Sequence, residues 1–166
     1  MRALAVRFLA FLFIVEKWVA VTAFSLIAAF LFADVLGRNL FGQGVFWAQR
    51  ASVYAATVAG LMGFSICVAR GGHLRPSSFD KLFPASMNVI INRAADLISA
   101  AICLFMAIYS SNFVLNSYQL GERGQAIDMV LWPVQMILPY CFFSALLRFL
   151  IFAVFPALRP IEADVA

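Results

Sequence analysis

Four stretches of this sequence are each long and apolar enough to cross a bilayer, and this constrains the fold more than any motif does. They lie at about residues 18–36, 51–69, 97–115 and 130–154. A helix needs about 20 apolar residues to cross a hydrocarbon core ~30 Å thick. The second stretch carries no charge, and the first is interrupted only by Asp34 near its far end. Lipid offers backbone groups no hydrogen-bond partner, so each stretch is predicted to be helical. None alternates with the two-residue period of an outer-membrane strand. The expectation is an all-α membrane protein of four transmembrane helices, one integral-membrane domain over residues 1–166. It is multi-pass in a bacterial inner membrane and is not an enzyme.

Composition excludes the soluble alternative. The chain is 64% hydrophobic and 12% charged, with a mean hydropathy of +0.96, whereas soluble domains are about half apolar and a quarter charged. The net charge of +4 does not point to nucleic acid, because the basic residues cluster at the ends of apolar runs. Arg2, Arg7, Lys17, Arg70, Arg75, Lys81, Arg93, Arg148 and Arg159 fall on one side of the membrane, and Arg38, Arg50 and Arg123 on the other. By the positive-inside rule both termini and the 70–92 loop are predicted to be cytoplasmic. The loops at 37–50 and 116–129 then face outward.

Residues 1–15 carry Arg2 and Arg7 and then the apolar run 8–15, which has the outline of a signal peptide. Glu16-Lys17-Trp18 stands where a small-residue cleavage site would be, and a full span follows. The preferred reading is an interfacial helix leading into the first span, with Trp18 at the boundary.

Chemistry-bearing residues are few. Arg93 and Asp96, three apart, are placed to pair on one helix face, as are Asp34 and Arg38, four apart. Glu16 and Arg148 are expected to snorkel to the inner interface, leaving the centres of the spans uncharged. A transporter that works alone needs polar groups near the midplane, so no substrate, ion or metal site and no catalytic residue is expected. Cys67, Cys103 and Cys141 form no CxxC pair and read as small hydrophobes. His73 is the single histidine, which excludes bis-histidine haem ligation within the chain, and it reads as an interfacial polar residue. On the second span Ser52, Ala56, Ala59, Gly60, Gly63 and Cys67 form a small-residue stripe suited to close helix contact, internal or with a partner.

Together these marks resemble the DctQ-like family, the small membrane subunit of TRAP (tripartite ATP-independent periplasmic) transporters. The resemblance rests on Asp34-Val35-Leu36-Gly37-Arg38-Asn39-Leu40-Phe41-Gly42, on Trp47, and on Arg70-Gly71-Gly72-His73-Leu74 after the glycine-containing helix end. Leu82-Phe83-Pro84 and the series Trp132, Pro139 and Arg148 complete it, in the family's order over residues 16–152. Two positions depart from the family pattern: Gln49-Arg50 stand where acids often follow the tryptophan, and Ser77 where an acid often follows the histidine.

The resemblance implies a scaffold subunit of a sodium-driven, binding-protein-dependent secondary transporter that imports organic acids. Its implied partners are a large elevator-type permease subunit, a periplasmic solute-binding protein and membrane lipids, with no cofactor. Candidate contact residues are Arg38, Trp47 and Arg50 toward the binding protein, and Gly60 and Gly63 in helix packing. His73, Arg75 and Arg148 are the candidates for the inner lipid interface. The alternatives are a stand-alone proton-coupled small exporter using Glu16 and, with less support, a membrane redox subunit.

Overall fold

The computed structural model describes residues 2–71, 88–124 and 128–158. Five α-helices follow in chain order: α1 (Arg2–Phe41), α2 (Phe46–Ala69), α3 (Asn88–Leu120), α4 (Trp132–Gln135) and α5 (Ile137–Val154), before a short 3₁₀ turn at Pro156–Leu158. Four of the resulting segments are long and apolar enough to cross a membrane: Ala5–Phe41, Phe46–Ala69, Ile91–Leu120 and Trp132–Val154.

The first span differs from expectation. α1 is one uninterrupted helix of 40 residues, so residues 2–15 form no separate interfacial helix ahead of the first span. Glu16-Lys17-Trp18 does not break the helix, because none of the three is a helix breaker. α1 stops where Gly42 adopts φ +68°, a left-handed conformation that glycine takes without strain and that ends helices readily. The fourth span differs too, being interrupted between α4 and α5 at Met136. Pro139 has no N–H to donate to the carbonyl of Gln135, so the helical ladder loses a rung there.

Packing follows the chain into two hairpins. α1 lies along α2 and α3 along α5, and the hairpins join through α2 and α5. The helices therefore stand in the order α1, α2, α5, α3, without a packed seam between α1 and α3 among the described residues. This is an open row rather than a closed four-helix bundle. α5, in its interior, buries Cys141, Ser144, Ala145, Leu146, Arg148, Phe149 and Phe152.

Sorting by size, not polarity, distinguishes inside from outside. Buried positions are mostly small, among them Ala20, Ala59, Ala100, Cys103, Cys141 and Ala145, while Phe11, Phe24, Phe32, Phe105 and Phe113 point outward. Small residues let helix backbones approach where no hydrophobic drive distinguishes helix from lipid. One cluster joins Val68, Ala100, Cys103, Ala145, Leu146 and Phe149 across α2, α3 and α5. A second joins Ala20, Met62 and Cys141 across α1, α2 and α5, where the Cys141 thiol donates to the Leu61 carbonyl at 3.1 Å.

Candidate functional site

The most concentrated polar chemistry lies where α1, α2 and α5 meet. Glu16 is 0% exposed and Arg148 1%. Arg148 Nη2 donates to Glu16 Oε2 at 2.8 Å and Nη1 donates to Glu16 Oε1 at 3.2 Å, a two-pronged fork matched to a carboxylate. Nη1 also donates to the Ser65 carbonyl at 3.0 Å and lies 3.2 Å from Ser144 Oγ. Ser144 Oγ donates to Glu16 Oε1 at 2.6 Å. Ser144 reaches this cluster because it stands one turn before Arg148 on the same face of α5.

The expected snorkelling of Glu16 and Arg148 is thus overturned, and with it the interfacial role given to Arg148. Each charge lies a short way inside the apolar layer, and the two turn toward each other instead of toward water. Ser65 is four residues from the end of α2, about 6 Å along the axis. An unpaired charge at this depth is costly, while a paired and hydrogen-bonded one is tolerated. A sequence signal for the pair existed. Glu16 is the single acid before Asp34, and Arg148 the single charged residue between 129 and 158.

The second polar feature is the outer corner between α1 and α2. Arg38 Nη2 donates to Asp34 Oδ2 at 2.9 Å, as the four-residue spacing predicts; Asp34 is mostly buried while Arg38 reaches out. A side chain at Gly44 would place its Cβ 2.6 Å from Asp34 Oδ1 and 3.0 Å from Arg38 Nε. The corner closes over the ion pair because residue 44 has no side chain. Asp34, Arg38, Gly42, Gly44, Phe46 and Gln49 line an open pocket of about 360 Å³ beside it. Trp47 packs edge-on to Phe30 with ring centroids 5.7 Å apart and remains half exposed; Arg50 is exposed one turn into α2.

The small-residue stripe of α2 divides between two faces. Ser52 and Ala59 are buried, whereas Ala56, Gly60, Gly63 and Cys67 are exposed. Among the described residues nothing lies within 4 Å of a Cβ built on Gly60 or Gly63, so neither glycine serves a contact between the described helices. Arg93 is exposed and Asp96, three residues on, is buried. His73 and Arg75 lie outside the described residues, as does Leu82-Phe83-Pro84. Among the described residues no three histidine, cysteine or acidic side chains gather as a metal site, and Cys67, Cys103 and Cys141 form no disulfide.

Comparison with known proteins bears on what this arrangement serves. Residues 27–157 match the family described as "Tripartite ATP-independent periplasmic transporters, DctQ component". A similar curated protein is the sialic acid TRAP transporter permease protein SiaT of Haemophilus influenzae (strain 86-028NP), 24% identical over 94 residues. The matched stretch is 57% of this chain and 15% of that relative's length.

Proposed function

The chain belongs to the DctQ family, the small membrane component of TRAP transporters, and from that premise we propose that it is a fixed scaffold for a larger, moving permease subunit. Family membership makes it a multi-pass inner-membrane transport component and not an enzyme. In the proposed role it contributes packing surface to the large subunit and outer loops to a periplasmic solute-binding protein. The large subunit supplies the sodium and solute sites. Both termini and the segment between α2 and α3 face the cytoplasm in this reading, supported by the nine-to-three division of basic residues.

One observation carries the scaffold reading. The most completely buried charges among the described residues, Glu16 and Arg148, are spent on each other and on Ser144 and the Ser65 carbonyl. A coupling site must exchange a proton, ion or substrate between two aqueous faces, whereas a saturated ion pair buried among three helices holds them together. The same bonds weigh against a proton-coupled exporter working through Glu16. The lack of a packed seam between α1 and α3 among the described residues supports the reading as well, since it leaves surface on both helices for a partner.

In this proposal Arg38, Trp47 and Arg50 lie near the binding-protein face, Gly60 and Gly63 meet a helix of the large subunit, and His73 and Arg75 set depth at the headgroups. The cargo is an organic acid, a class to which the solute named for the SiaT relative also belongs. Reconstitution into liposomes under an inward sodium gradient tests the role. Uptake is expected with the large subunit and binding protein both present and absent when this chain is omitted or used alone. Charge reversal at Arg38 or Arg50 should reduce uptake without loss of assembly. Gradient-driven uptake by this chain alone would overturn the scaffold assignment.

A further inference from the structure

α1 is too long for the bilayer that its neighbours fit. The apolar segment Ala5–Phe41 has 37 residues, about 55 Å of helix, against a hydrocarbon core of ~30 Å. α2, with 24 residues, is about 36 Å long. Tilting α1 until all of it lay in hydrocarbon would take about 57°. The same tilt would leave α2, packed along it, spanning only about 20 Å of the core. A tilt of about 34°, which fits α2, stretches α1 over about 46 Å of depth, close to the bilayer's 40–45 Å with its headgroups.

The surplus can be located. Arg70, just past the end of α2, stands over the Phe13 ring at 5.9 Å, which marks where α2 stops beside α1. Residues 2–12 continue beyond that point by about 16 Å. This arm is apolar around much of its circumference: Val6, Phe8, Ala10 and Phe11 are exposed, and they do not form a single stripe. A groove in a protein covers one stripe of a helix, while a lipid leaflet surrounds it. Charge is equally one-sided, since the sequence has no acid before Glu16, and Glu16 is held by Arg148. Arg7, Lys17 and Arg70 are exposed around the point of exit.

We infer that residues 2–12 form a lipid-seeking arm that crosses the headgroup layer of one leaflet. Its phenylalanines lie at the acyl boundary, and Arg7, Lys17 and Arg70 sit among the phosphates of anionic lipids. The inference rests on membrane embedding and not on the scaffold reading, and its test measures depth, not transport.

A nitroxide is placed on the full chain by Phe11→Cys, and separately by Ala10→Cys, with exposed Cys67 replaced by alanine. The chain is studied in phosphatidylcholine vesicles with and without phosphatidylglycerol, alone and together with the large permease subunit. The expected result is a label accessible to oxygen and shielded from a water-soluble nickel chelate when phosphatidylglycerol is present. Removing that lipid, or introducing Arg7→Gln, should shift the exposed-to-immersed ratio by about fivefold. Free access of the chelate in every vesicle would show a cytosol-exposed arm and overturn the inference. Exclusion of both probes once the large subunit is bound would show a protein-covered arm and overturn it equally. Indifference to phosphatidylglycerol and to Arg7→Gln would defeat the role given to anionic lipids.

Discussion

The two ion pairs of the first helix share their chemistry and differ in almost everything else. At the outer end Asp34 and Arg38 are one turn apart on the same helix. Such a pair forms within an isolated helix, and with Arg38 reaching out it contributes little to stability. Deeper in the protein Glu16 meets Arg148, 132 residues away, and both are shut off from solvent. That pair exists only when α1, α2 and α5 are assembled. The contrast separates a contact that follows from helix geometry from one that reports the tertiary fold. It also shows why an acid and a base near the ends of apolar runs need not reach for the interface. A partner inside the protein satisfies them with shorter, less hydrated bonds.

The largest effect should come from breaking the buried pair on one side only. Glu16→Leu or Arg148→Leu leaves an uncompensated charge among three helices, at a cost of about 3–5 kcal/mol. Replacing both by leucine removes the stranded charge and should recover most of that loss. Thermal or denaturant unfolding of the full chain in detergent, run as a double-mutant cycle, measures the coupling. If the single variants are as stable as the parent, the pair does not hold the helices together and the contrast with the outer pair collapses.

A smaller effect is expected at the outer corner. Gly44→Val would drive a side chain against Asp34 Oδ1 and Arg38 Nε, forcing the pair apart or the turn open. Overpacking of this kind costs about 1–3 kcal/mol, and the exposure of the corner favours the lower end. Asp34→Asn in the same background separates the two causes. If the loss at Gly44 comes from displacing the ion pair, removing the carboxylate's charge beforehand should shrink it. An equal loss in both backgrounds would assign it to the turn alone.

How much of this was legible in the sequence depends on the range over which each feature is determined. The helices follow from runs of apolar residues, and the Asp34–Arg38 bond from a four-residue interval; both are local. The extent of α1 was harder to read, because a charged doublet at Glu16-Lys17 looks like a boundary until Glu16 finds its partner. The stripe on α2 showed small residues at helical spacing, yet the face that each occupies is set by where α1 and α5 pack. Glu16, Ser144, Ser65 and Arg148 come together only through the order of helices in the row, and neither spacing nor composition encodes that order. What the sequence did display was one lone acid and one lone base in otherwise apolar segments. In a membrane protein that is a reason to look for a pairing.

The smallest effect on the isolated chain, and the sharpest test of its surface, belongs to Gly60 and Gly63. Both are exposed on α2 with open space where a side chain would go, so Gly60→Leu and Gly63→Leu meet nothing among the described residues. Leucine also favours the helix over glycine by about 0.5–1 kcal/mol. Unfolding of the isolated chain should therefore be unchanged or slightly harder, the reverse of what an internal helix contact would give. Assembly is where a difference is expected. If a helix of the large subunit approaches this face, leucine holds the two backbones apart and co-purification should fall. Normal co-purification and uptake by both variants would assign the face to lipid and confine the docking surface to other helices. A marked loss of stability in the isolated chain would instead mean that α2 turns this face inward, contrary to the packing described above.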